Sequence, residues 1–195
     1  MISDEIYERL TYGGFKHESI AALGEEIAQQ TITITGCSKT YAMTGWRIGF
    51  AHGPLKVAKL MSSIQDQMTS NAASFAQAGA IAALAMSPEA MEAMRAEFEA
   101  RRNLIVGRLN EMPGVNCPLP QGAFYAFPDI SAHLGGDIPD DCVMAEHLLE
   151  KAHIACIPGS VFEGPGHLRF SYATDQATIS KGMDRLAEAL ANLAS

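Results

Sequence analysis

The segment Gly36-Cys37-Ser38-Lys39-Thr40-Tyr41-Ala42-Met43-Thr44-Gly45-Trp46-Arg47-Ile48-Gly49 decides how the rest of the chain is read. Just before it, Thr31-Ile32-Thr33-Ile34-Thr35 alternates β-branched residues and stops at Gly36, the pattern of a strand with a turn at its carboxyl end. Trp46 to Ala51 reads as a second strand closed by Gly53-Pro54, which leaves Cys37 to Gly45 as a small-residue loop carrying one lysine. In α/β folds ligands sit at such strand ends. A lysine there can condense with a carbonyl if its surroundings favour the neutral amine. Arg47, eight residues on at the start of the next strand, offers a planar fork of donors suited to a phosphate. Taken alone, both residues read most simply as solvated surface charges. A Ser38–Lys39 hydrolase dyad is weaker still, because adjacent residues on extended chain point to opposite faces.

Outward from this segment the pattern is helical, then mixed. Pro54 opens a helix with Leu55, Val57, Ala58, Met61 and Ile64 as its apolar stripe, and Ala72 to Met86 reads as a buried second helix. Ser87 caps a third, long helix that carries Met91, Met94, Phe98, Ile105 and Leu109. After Pro113-Gly114 come an aromatic strand over 122–128, a helix over 141–152, strands over 154–157 and 167–172, and a terminal helix over 176–193. A domain boundary is therefore expected within the long helix.

Composition narrows the classes of function. The 195 residues are 48% hydrophobic and 18% charged, enough for a real core. The net charge is 14 − 22 = −8, with both signs scattered, which argues against a nucleic-acid or anionic-membrane surface. Ala72–Met86, the longest nearly apolar stretch, is too short to span a bilayer, and the acidic start Met1-Ile2-Ser3-Asp4-Glu5 does not suggest export. Cys37, Cys117, Cys142 and Cys156 are scattered without a CxxC pair, as expected of reduced thiols in a cytoplasm. Cys142, His147, His153 and Cys156 lack ligand spacing, so no metal site is expected.

Position by position, the Gly36–Gly49 segment resembles the pyridoxal-phosphate attachment motif of class I/II aminotransferases: small, apolar and small residues, the lysine, then an arginine eight later followed by an apolar residue and glycine. Asp4-Glu5-Ile6-Tyr7 resembles the family's Asp-x-x-Tyr element on the strand before the lysine. Gly122–Pro128 resembles its aromatic strand, Pro158-Gly159-Ser160-Val161-Phe162 its PGxxF turn, and Leu168-Arg169-Phe170-Ser171 the strand carrying its substrate arginine. The resemblance implies an α/β protein: part of the large domain of a fold type I pyridoxal-phosphate-dependent transferase over 1–85, a connecting helix over 86–112, and a small α+β carboxyl-terminal domain over 113–195.

It also implies roles. Lys39 attaches pyridoxal 5'-phosphate and then acts as general base and acid; Asp4 faces the ring nitrogen; Tyr7 meets the phenolic oxygen; Arg47 and Ser38 bind the phosphate; Arg169 clamps the substrate α-carboxylate. The substrates implied are an α-amino acid and a 2-oxo acid, of aspartate or aromatic type, handled by a homodimer. The family's earlier half carries a phosphate loop, a ring-stacking aromatic and an Asn-Pro-x-Gly element, and no Asn-Pro dipeptide occurs here. The chain thus looks like the carboxyl-terminal half, a fragment with an incomplete site that needs the missing half. The alternatives are a cofactor-binding sensor domain of a transcription regulator, a fold type I β-lyase, and a truncated product that binds no cofactor.

Overall fold

The computed structural model describes residues 1–193 and resolves into two compact units, Met1–Arg95 and the remainder from Ala96. In the first unit β1 (Ile2–Asp4) pairs in parallel with β2 (Ile32–Gly36), with the short helix α1 (Glu25–Ala28) on the connection between them. The chain then enters α2 (Cys37–Thr40), a single helical turn where a plain loop is expected from the sequence, and returns as β3 (Gly49–His52), antiparallel to β2. β3 starts three residues later than the Trp46 expected from the apolar run. Thr44–Trp46 form a 3₁₀ turn and Arg47 is left-handed at φ 52°, ψ 50°, a conformation that cannot continue a strand.

α3 (Leu55–Met68) follows with Pro54 at its N-cap, and then α4 (Ser74–Leu84). α4 is buried along one side only. Ala76, Ala80 and Ala83 face the core, while Phe75, Ile81 and Leu84 stand exposed. Its small side chains let it close on the Lys39 loop, forming a cluster of Cys37, Met43 and Ile48 with the three alanines. The apolar stripe read on α3 is real in register but covers no core, since none of that helix's residues is buried.

α5 (Pro88–Asn110) contains the boundary between the units. Within the second unit β4 (Tyr125–Ala126), β5 (Ile157–Pro158) and β6 (Leu168–Ser171) form an antiparallel sheet in the order β4-β6-β5. Strand β4 is far shorter than its aromatic run, because Ala123 at φ 61° breaks the extended backbone ahead of it. α6 (Asp141–His147) widens into a π-helical turn over Leu148–Ala152, and α7 (Gln176–Leu193) runs over the expected span. Large side chains fill this core, among them Leu109, Ile130, Met144, Leu148, Leu168, Tyr172 and Leu186. Buried Asp141 ties the PGxxF turn to α6 by accepting from Ser160 N and Ser160 Oγ, both at 2.7 Å. No helix among the described residues is long and apolar enough to cross a membrane.

Candidate active site

Strand direction assembles the site. β1 and β2 run parallel, so their carboxyl ends share one edge of the sheet, and antiparallel β3 begins at that same edge, where Gly36 pairs with Gly49. Asp4 ends β1, Ser38 and Lys39 follow β2, and Arg47 precedes β3. All four line one cavity of about 430 Å³, together with Ile6, Ile34, Gly36, Thr44, Ile48 and Gly49. That volume suits a small organic ligand.

Two bare glycines in the lining let β2 and β3 approach closely. A Cβ on Gly36 would stand 3.0 Å from Gly49 Cα and from Ile48 O, and one on Gly49 would stand 3.1 Å from Thr35 O. Asp4 is exposed to the cavity and its Oδ1 accepts from Ile6 N at 3.2 Å, a local turn that fixes the carboxylate just beyond the strand. Ser38 and Lys39 are half-buried, and Lys39 Nζ lies 5.7 Å from the centre of the Tyr7 ring. Tyr7 itself lies past the end of β1, in a turn where Leu10 N donates to Tyr7 O at 2.9 Å. The Asp-x-x-Tyr element is therefore a strand end plus a turn, where the sequence suggests one strand.

Arg47 is exposed, and Nη1 donates to Thr44 O at 2.9 Å, which directs the guanidinium along the rim. Ala42 and Arg47 both adopt left-handed backbone, at φ 53° and 52°. Each costs about 1 kcal/mol or more outside glycine, and such strain persists where surrounding structure over-determines it. Here Cys37 N donates to Ile48 O and Met43 N to Cys37 O, closing the loop on itself above the alanine stripe of α4. Burial pushes the Cys37 thiol up from its ordinary value, so it stays a neutral packing group.

Arg169 belongs to the second unit, on β6 opposite Ile157. Its guanidinium carbon lies 4.4 Å from the Tyr125 ring centre and 4.2 Å from that of Phe162. With its plane held by aromatic rings, the fork's N–H edge is what remains for an anion. Two features escape a sequence reading. Ser70 and Asn71 line a second open cavity of about 730 Å³ that also includes Arg47, Ile48 and Gly49. Glu5, which reads as half of a solvated acidic pair, is buried. The available signal was strand alternation, which puts Ser3 and Glu5 on the face opposite Asp4. Among the described residues no group of three or more His, Cys, Asp or Glu side chains could hold a metal ion.

The family model for aminotransferase class I and II matches residues 1–186. The chain belongs to the aminotransferase class I and II family. It is 47% identical over 189 residues to aspartate aminotransferase of Geobacillus stearothermophilus, a match covering 95% of this chain and 48% of that protein. Among solved structures, the aspartate aminotransferase of Rhizobium meliloti aligns with a TM-score of 0.93 at 38% identity, covering 97% of this chain and 49% of that one. The aromatic aminotransferase of Pyrococcus horikoshii aligns at 0.91 and 38%, covering 98% and 51%. The chain therefore has the mixed α/β architecture of these aminotransferases and spans about half the length of the relatives it matches.

Proposed function

We propose that the chain is the pyridoxal 5'-phosphate-holding part of an aminotransferase that moves an amino group between an α-amino acid and a 2-oxo acid, with aspartate or an aromatic amino acid as donor. The observation that carries this reading is the convergence of Asp4, Ser38, Lys39 and Arg47 on one cavity at the end of a parallel strand pair. The donor set suits the cofactor: an amine for its aldehyde, a guanidinium and a hydroxyl for its phosphate, and a carboxylate for its ring nitrogen.

When bound, pyridoxal 5'-phosphate supplies an electron sink for the pair left as the substrate Cα–H bond breaks. The chain's residues do the rest. Asp4 keeps the ring nitrogen protonated through charge. Arg47 and Ser38 anchor the phosphate, and the Tyr7 hydroxyl serves the phenolic oxygen. Lys39 Nζ first holds the cofactor and, once released, takes the Cα proton and returns it as general base and acid. Arg169 orients the substrate by its α-carboxylate.

On this reading residues 1–85 end the cofactor-binding large domain, 86–112 connect, and 113–195 form the small α+β domain. The chain would then be about half of a cytoplasmic, dimeric enzyme. The site is then completed by the other half, and the isolated chain turns over slowly. The test is to add pyridoxal 5'-phosphate to the purified chain, reduce with borohydride and map the adduct by mass spectrometry. The label is expected on Lys39 and absent from a Lys39→Ala protein; an unchanged spectrum and label in that variant sink the assignment. Release of ammonia with the 2-oxo acid, in place of an aminated cofactor, would favour β-lyase chemistry.

A further inference from the structure

Glu5 is a carboxylate buried at 5% exposure immediately after the cavity's Asp4. Three donors converge on it: Ser3 Oγ at 3.0 Å and Ser19 Oγ at 2.9 Å on Oε1, and the His17 ring Nε2 at 2.9 Å from Oε2. Burial alone would raise its pKa, but the hydrogen bonds from His17, Ser19 and Ser3 outweigh burial and hold it below the ordinary carboxylate value. The carboxylate therefore stays charged and keeps its donors. Two of those donors come from twelve and fourteen residues downstream, so the clamp pins the far end of the 5–19 segment back onto β1.

The backbone of the same residues continues the sheet. Glu5 N donates to Ile34 O at 2.8 Å, one rung beyond the Asp4–Ile34 pair, and Glu8 N donates to Glu5 O at 3.0 Å to start the turn that carries Tyr7. Strand alternation puts Glu5 on one face and Asp4 on the other, so fixing Glu5 fixes which way Asp4 points. We propose that Glu5, clamped by Ser3, His17 and Ser19, is a positioning residue that holds Asp4 and Tyr7 in register with Lys39 at the cofactor cavity. This rests on the functional reading above and adds a residue that touches neither the cavity nor its ligand.

The experiment uses the 195-residue chain, titrated with pyridoxal 5'-phosphate and followed by visible absorbance, borohydride trapping at Lys39 and thermal melting. Glu5→Ala is expected to weaken cofactor affinity about tenfold, as loss of an orienting partner does elsewhere, and to raise the apparent pKa of the bound-cofactor band as Tyr7 drifts from its place. Glu5→Gln, which keeps the size and one acceptor oxygen, should recover part of both effects. If Glu5→Ala does not fold, Ser19→Ala removes one donor of the three and should move affinity and band in the same direction by less. A lower melting temperature with affinity and band unchanged would make Glu5 merely structural and overturn the proposal. Failure of the unmutated chain to label at Lys39 would overturn the functional reading and this role with it.

Discussion

Asp4 and Glu5 are neighbours in sequence and opposites in environment, one exposed to a cavity and one buried under three donors. The exposed one carries a direct prediction. Asp4→Asn keeps the shape but removes the charge that would hold a ring nitrogen protonated. Covalent trapping at Lys39 is expected to persist, while amino transfer slows about 100-fold, the scale seen when one preorganised electrostatic partner is lost. Trapping yield and stopped-flow absorbance check this, and equal losses in both would reassign Asp4 to anchoring. At this scale Asp4, Ser38, Lys39 and Arg47 read as surface charges and a loop hydroxyl when taken alone; it is the family resemblance that singles them out, and the fold brings all four to one cavity. Glu5 was not legible, since its partners lie far along the chain and only the folded turn brings them in. Nor was the left-handed backbone of Arg47, which no property of arginine favours and which the packing of the loop imposes.

Among the elements, helices were read to within a residue or two where caps or proline mark them, as with α3 behind Pro54 and α7 at Gln176–Leu193. Strands fared worse, because pairing partners rather than local pattern set their ends. β3 lost Trp46–Ile48 to a 3₁₀ turn and a left-handed residue, and β5, expected over 154–157, is confined to Ile157–Pro158, the stretch that pairs with β6. The turn between β5 and β6 depends on Asp141. Burial works to raise its pKa, but the Ser160 amide and hydroxyl outweigh this and hold it below the usual value. A carboxylate depressed in the folded state contributes stability that is fully present above the unfolded pKa of about 3.9 and is lost as pH falls below it. Asp141→Asn should therefore cost about 2–3 kcal/mol at neutral pH, the worth of charge-assisted hydrogen bonds, with the gap to the parent closing toward pH 3. Denaturant melts at several pH values read both, and a pH-independent gap would assign the loss to packing instead.

Over the whole molecule, the chain spans about half the length of the relatives it matches. Leu55 at 69% and Met68 at 75% exposure on α3, and Phe75 at 68% and Ile81 at 71% on α4, leave large apolar side chains of the first unit uncovered. Among the described residues β1 pairs with β2 alone. Surfaces of this kind drive association. The purified chain is expected to self-associate in light scattering at micromolar concentration. Leu55→Glu with Ile81→Glu should lower the apparent mass without lowering the melting temperature, and a strictly monomeric parent chain would refute the idea.

The two cores differ in kind, and heat should tell them apart. Around Lys39 the packing is Cys37, Met43, Ile48 and three alanines with Tyr41 against them, and Leu10 and Tyr12 are buried elsewhere in the first unit, whereas the second unit buries many more leucine, isoleucine and aromatic side chains. Exposing apolar area on unfolding sets the heat-capacity increment. The Lys39 unit should thus melt first, with the smaller increment, in differential scanning calorimetry. Adding pyridoxal 5'-phosphate should raise that first transition alone, by mass action on the folded form. The ligand site would then sit on the less stable part of the chain, and cofactor supply would govern how long that part survives in solution.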